Sequence, residues 1–269
     1  MEEVNNSKIK YQKRIVVFLD ILGFENSLDE FEEEAIKKYD DKKSPRVIIS
    51  KKANQFIRVF KDVISLMDNY DCKYYLFSDN ICITVDPYSN RDLAIDILFT
   101  ISTLFKRFSD MGYFLRGGVD FGWMLDEDDI ALGVPLAQAY KIESEIAIFP
   151  RVVVSDNFIE FVNDFNLPEN DQFNLENFII ESSDISYINT FYNIIRTDDK
   201  INFLDQYKEQ IERKLIETKS IGKVYAKYYW LRNEFNVFIE KYLNDIEYFE
   251  QDIIFTKEDL EIINKTKIN

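Results

Sequence analysis

Two aspartates stand at the ends of short apolar runs. Asp20 closes Arg14-Ile15-Val16-Val17-Phe18-Leu19-Asp20, and Asp79 closes Tyr74-Tyr75-Leu76-Phe77-Ser78-Asp79. An ionised carboxylate at the tip of a buried run is costly unless something pairs with it. No cationic residue close in sequence serves as that partner for either one. A divalent cation would satisfy both, so a two-carboxylate metal site is the first chemistry these residues suggest. The chain contains no histidine, which excludes Ser-His-Asp and Cys-His catalysis, zinc sites of the HExxH type and histidine general bases. Carboxylates, lysine, arginine, tyrosine and a metal remain.

The elements that must position these residues follow from the apolar spacing. Residues 14–19 form a short run, rich in β-branched and aromatic residues and almost unbroken by polar groups, as expected of a buried strand. Gly23-Phe24 and a charged stretch over about 26–46 follow. Phe56, Val59, Phe60, Val63, Ile64 and Met67 fall at three- and four-residue intervals and predict a helix over 53–67. Two strands flanking Asp79-Asn80 predict a hairpin, because an Asp-Asn pair suits a tight turn. A second helix is expected from Arg91 to about Phe108, and a fourth strand over 113–120. This β-α-β-β-α-β order is the ferredoxin-like arrangement, an α+β fold in which the first strand runs parallel to the second with the third between them. That topology places the end of the first strand beside the hairpin tip, and so Asp20 beside Asp79. Further on, 136–146 reads as a helix, 151–155 as a strand and 174–195 as β-rich with a polar break at Ser182-Ser183-Asp184. Residues 203 to about 249 read as one or two long helices with a break near Gly222. One domain over 1–269 is expected, with a core at about 12–160 and a C-terminal elaboration over 161–269.

The net charge of -16 argues against a broad nucleic-acid surface, which needs clustered Lys and Arg. No apolar stretch approaches the ~20 residues that span a bilayer, and the first residues lack the pattern of a signal peptide. A cytoplasmic protein is expected, with Cys72 and Cys82 reduced.

With these residues in place, the chain resembles class III nucleotide cyclases over about residues 14–156. Phe18-Leu19-Asp20-Ile21-Leu22-Gly23-Phe24 resembles that family's first metal motif, and Phe77-Ser78-Asp79-Asn80 its second, with Ser78 in place of the usual glycine. Leu115-Arg116-Gly117-Gly118-Val119-Asp120-Phe121-Gly122 is similar to the glycine-spaced strand. Gly133, then Ala139-Tyr140-Lys141-Ile142-Glu143, Ile148 and 152–155 are similar to the closing helix and strand. The family's transition-state asparagine and arginine correspond to Ala137 and Lys141, its base-selecting lysine to Tyr75 and its purine-reading acid to Ile130. The combination is most similar to the pyrimidine cyclases of Pycsar antiphage systems.

The resemblance implies conversion of UTP or CTP to a cyclic monophosphate that activates a separate effector. It implies two Mn²⁺ or Mg²⁺ ions held by Asp20, Asp79 and the Ile21 carbonyl, and a homodimer whose sites are shared between chains. Arg116 either contacts phosphate or pairs with a neighbouring acid, and Lys141 either binds phosphate in place of the family's arginine or is a solvated helix lysine. Substrate contacts fall to Tyr75, which otherwise packs in the core, and to Ile130 and Phe24. Gly117 and Gly118 suit close backbone approach, either to substrate or to a packed helix. Lys227, Trp230, Leu231 and Glu234 share one helical face, read as helix packing with solvated ends. Two alternatives stay open: a purine cyclase, and a domain that binds nucleotide without turnover. Diguanylate cyclases are disfavoured, because Arg-Gly-Gly-Val stands where their Gly-Gly-Asp/Glu-Glu-Phe turn would be.

Overall fold

The apolar run of the first strand, buried on both faces, decides the architecture. In the computed structural model, which describes residues 10–38, 46–90, 93–127, 130–164, 178–182, 185–191, 200–244, 265 and 267–268, β1 (Gln12–Ile21) is the central strand of a mixed sheet. It pairs antiparallel with both β3 (Asn80–Val85) and β4 (Leu115–Glu127). β2 (Cys72–Phe77) forms a hairpin with β3. The order β2-β3-β1-β4 is the one the β-α-β-β-α-β reading requires. Ile15, Val17 and Leu19 point to one face, where α2 (Lys51–Ile64) and α3 (Leu93–Asp110) bury Phe56, Phe60, Leu98, Leu104 and Phe108 against them. Val16 and Phe18 point to the other, under α4 (Val134–Lys141).

The sheet continues past the expected core. β4 pairs parallel with β6 (Val152–Val154), which pairs with β8 (Ile185–Ile188) and through it with β7 (Ile179–Ser182). Two long helices follow, α6 (Lys200–Glu217) and α7 (Gly222–Asn244), with Gly222 opening the second. α6 packs on α3, and α7 on α6. Cys72 and Cys82 are free; in the β2–β3 register they face Val85 and Tyr75, not each other. Among the described residues no helix is long and apolar enough to cross a membrane.

Several expectations are corrected. The charged stretch at 26–46 contains α1 (Glu25–Ile36), whose only buried side chains are Phe31 and Ala35. Nothing is described over 39–45. The fourth strand runs seven residues beyond its expected end at Asp120, to Glu127, and turns back as β5 (Ile130–Gly133). The helix expected to run to Ile146 ends as α-helix at Lys141 and continues as a π-helical turn, Ile142–Ile146. α5 (Asp156–Asp164) stands where no element was expected. Parts of the 174–195 and 203–249 readings lie outside the described residues.

The β2–β3 turn is shifted by one residue from the expected Asp79-Asn80. It is Ser78-Asp79, and Asn80 already pairs with Phe77 on β2 and Asp20 on β1. Ser78 has φ 59°, the left-handed region that favours glycine and that primed hairpin turns demand.

Candidate active site

Asp20 stands one residue before the end of β1, between Asn80 of β3 and Arg116 of β4. The Ile21 N–H donates to the Asp79 carbonyl oxygen at 3.0 Å, tying the end of β1 to the hairpin turn. The two aspartates are thus brought to neighbouring strand ends, as the topology requires. The Ile21 carbonyl accepts from the Phe24 N–H at 3.3 Å, and a carbonyl oxygen has a second lone pair for another partner. The Asp79 carboxylate accepts from Asn80 Nδ2 at 2.9 Å.

Asp20 has a cationic partner after all, but one far away in sequence. Arg116 Nε donates to its carboxylate at 2.7 Å, and Arg116 Nη2 lies 2.7 Å from a carboxylate oxygen of Glu143. Glu143 sits in the π-helical turn, 3% exposed. Such turns concentrate at functional sites. Burial pushes the Glu143 carboxyl above its ordinary range, the Arg116 charge opposes this, and Asp20 and Asp79 add to the rise. Three carboxylates and one guanidinium therefore act on one another at the end of the sheet.

Both glycines of the Arg-Gly-Gly run serve packing. A Cβ on Gly118 would overlap the Ala139 carbonyl and reach 2.7 Å from Ile142 Cβ; one on Gly117 would meet the Phe18 backbone and Leu19 Cδ2 at 2.6 Å. Gly118 therefore lets α4 lie directly on β4, which brings Glu143 to Arg116.

A second polar cluster lies on the same face toward the sheet edge. The Tyr75 hydroxyl donates to Asp126 Oδ1 at 2.7 Å. Asp126 is also ion-paired with Arg14, Nε at 3.0 Å, and Lys73, Nζ at 3.5 Å, and accepts from the Thr84 hydroxyl. Its side chain is 1% exposed. Burial and the Asp126 bond both push the Tyr75 phenol well above its ordinary range.

The expected substrate contacts separate here. Phe24 is a core residue: its ring is 2% exposed and packs on Phe31, Phe56 and Tyr113, so it presents nothing to a ligand. Ile130 opens β5 opposite Glu127 and is exposed. Lys141 ends α4 as an exposed side chain without an ion pair among the described residues. Sequence reasoning missed Glu143 and Asp126. Glu143 carries a signal, since Ala139, Ile142 and Ile146 make it an acid within an apolar helical stripe. Asp126 carries none, because Glu127, Asp128 and Asp129 make it look like one more solvated acid.

Among the described residues no three carboxylate or thiol groups gather as a closed metal cage. The donor set that is present fits a hard cation of the Mg²⁺ or Mn²⁺ kind. Mg²⁺ takes one or two carboxylates and completes its shell with water and phosphate oxygens.

No protein-family model matches the sequence, and no curated protein matches it. Among solved structures, a bacterial light-regulated adenylyl cyclase is similar at 13% identity and a TM-score of 0.43, covering 67% of this chain and 53% of that one. The adenylyl cyclase CyaB from P. aeruginosa aligns at 14% identity and 0.39, over 66% of this chain and 93% of that one. The adenylate/guanylate cyclase/hydrolase from Silicibacter pomeroyi aligns at 12% and 0.41, over 66% and 95%. At such identities and scores the likeness carries no weight for activity, which turns on this chain's own residues.

Proposed function

We propose that the chain is a metal-dependent nucleotide cyclase that converts UTP, and less readily CTP, to the 3′,5′-cyclic monophosphate and pyrophosphate. The observation that carries this reading is the meeting of Asp20 and Asp79 at adjoining strand ends with Arg116 beside them. Asp20, Asp79 and the second lone pair of the Ile21 carbonyl would hold two Mn²⁺ or Mg²⁺ ions. When bound, such ions supply Lewis acidity toward the 3′-hydroxyl and charge neutralisation for the triphosphate. Glu143 holds Arg116 at the site, so the guanidinium has a second carboxylate to rest on when it turns toward phosphate.

Lys141 belongs to a different half of the site. It is exposed, without an ion pair among the described residues, and it would serve the nucleotide bound by a second copy, as a point charge without bidentate geometry. A homodimer is also supported by Phe77 and Tyr140, which both pack on Phe18 and yet remain more than half exposed. An apolar rim of this kind marks a surface that a partner covers.

Tyr75 places a bulky ring where the resembling purine enzymes carry a slim lysine, which shortens a base pocket. Ile130 offers no acceptor to an exocyclic amine, which favours uracil over cytosine by one hydrogen bond at most, about 1–3 kcal/mol. The product would act on a separate effector, the messenger role that the antiphage resemblance implies. The test is competition among equal concentrations of the four NTPs with Mn²⁺, read by the mass of the cyclic product. Cyclic UMP is expected to dominate. Predominant cyclic AMP or GMP would refute the substrate reading.

A further inference from the structure

Lys227 stands out on α7 because it is half-buried and, among the described residues, its ammonium has no hydrogen-bond or ion-pair partner. Its helix is keyed in place by two contacts on the same face. Trp230 stacks on Phe149 with ring centroids 5.1 Å apart, and the Glu234 carboxylate accepts from the Tyr187 hydroxyl at 2.8 Å. The Arg151 guanidinium lies over the Trp230 ring, 5.4 Å from its centroid, and the Arg151 carbonyl accepts from the Gly117 N–H at 3.0 Å, next to Arg116. Lys227, one turn earlier on that face, therefore stands at the Arg116 end of β4 and within the field of Arg116, Asp20 and Glu143. Burial pulls its ammonium below the ordinary lysine range, the like charge of Arg116 adds to this, and Asp20 and Glu143 offset part of it.

A half-buried cation near a second cation, without an ion pair among the described residues, is unfavourable by itself. Asp20 and Glu143 are already bridged by Arg116. What would satisfy both cations together is a ligand with several negative charges. We propose that Lys227 is a phosphate-binding residue, supplied in cis by the C-terminal helical hairpin, that contacts the triphosphate of the nucleotide beside Arg116. This rests on the cyclase reading and adds a residue to its site. It also gives α6 and α7 a role in substrate binding beyond packing.

The test is calorimetric titration of the full chain with 3′-deoxy-UTP, which lacks the attacking hydroxyl, and with inorganic tripolyphosphate, each with Mg²⁺. The variants are Lys227→Met, Lys227→Arg and Lys219→Met, the last removing an equal charge from the exposed turn between α6 and α7. Loss of a charge-assisted phosphate contact is expected to weaken both ligands about tenfold in Lys227→Met. Lys227→Arg should retain most of the affinity and Lys219→Met all of it. The melting temperature of Lys227→Met should stay level or rise, since a half-buried cation is removed. Unchanged affinity in Lys227→Met, or an equal loss in Lys219→Met, overturns the assignment. Lower thermal stability with unchanged affinity would show a purely structural counter-ion and overturns it too. Tripolyphosphate bound but 3′-deoxy-UTP refused would sink the uridine reading and leave Lys227 standing. A wild-type chain that binds neither ligand removes the cyclase reading and this inference with it.

Discussion

Asp20 and Arg116 form the ion pair at the centre of the candidate site. The aspartate was legible in the sequence as a carboxylate in need of a positive partner, and Arg116 as a residue that either contacts phosphate or pairs with an acid, but not which acid. Only the β1–β4 register places it beside Asp20. Asp20→Ala or Asp79→Ala is expected to abolish cyclisation, at a cost on the order of several kcal/mol of transition-state stabilisation. Circular dichroism and the melting temperature should remain close to those of the parent chain. Substantial turnover by either purified variant with Mn²⁺ would count against the metal assignment. Ser78 yields a second test. Its φ of 59° is strained for a side-chain residue, so Ser78→Gly should raise unfolding stability by about 0.5–1 kcal/mol in urea titration. A loss of that size would mean that the serine side chain holds the turn.

At the scale of elements, the strands and helices whose apolar residues repeat cleanly were readable. β1, α2 and the β2–β3 hairpin came directly from spacing. α1 did not, because Phe31 and Ala35 are its only buried side chains among many acids. The far half of β4 did not either, since Gly122 and the run Asp126-Glu127 look like a chain end and not a strand. The Gly118–α4 contact is the element-level joint of the site. Gly118→Ala should force α4 off β4 and destabilise by about 1–3 kcal/mol, the usual cost of overpacking. Triphosphate affinity should fall with it, because Glu143 moves with that helix.

The α1–α2 joint has a pH signature. Hydrogen bonds from Lys38 and then Ser50 hold the Glu34 carboxyl down at about 2, against an ordinary 4.5. A depressed carboxylate contributes stability above its unfolded pKa and loses it as pH falls through the folded one. The stability gap between the parent chain and Glu34→Gln should thus be constant above pH 4.5 and close as pH falls toward 2. A gap that does not change with pH would place the effect elsewhere.

For the whole molecule, the β-α-β-β-α-β topology was legible because each segment announces its type and one known arrangement accommodates the order. The link from β6 through β8 to β7 was not, since those strands are short and carry little alternation. Nor was the packing of α7 on Phe149 and Tyr187. Lys227, Trp230 and Glu234 share a face in the sequence, but nothing there says what the face touches. Shared sites predict complementation: Asp79→Ala chains mixed with Lys141→Ala chains should recover part of the activity, through one intact site per heterodimer. No recovery, in a mixture shown to exchange subunits and with each single variant inactive, would contradict the dimeric site.

The most direct measurement follows phosphorus itself. Purified chain and its Asp79→Ala variant are incubated side by side with UTP and Mn²⁺, the ion is then chelated, and phosphorus NMR is recorded. The prediction is that the wild-type chain moves the α-phosphate into a cyclic phosphodiester with one pyrophosphate released per turnover, while the variant leaves UTP intact. Release of inorganic phosphate without a cyclic product, or equal conversion by both chains, would contradict the account.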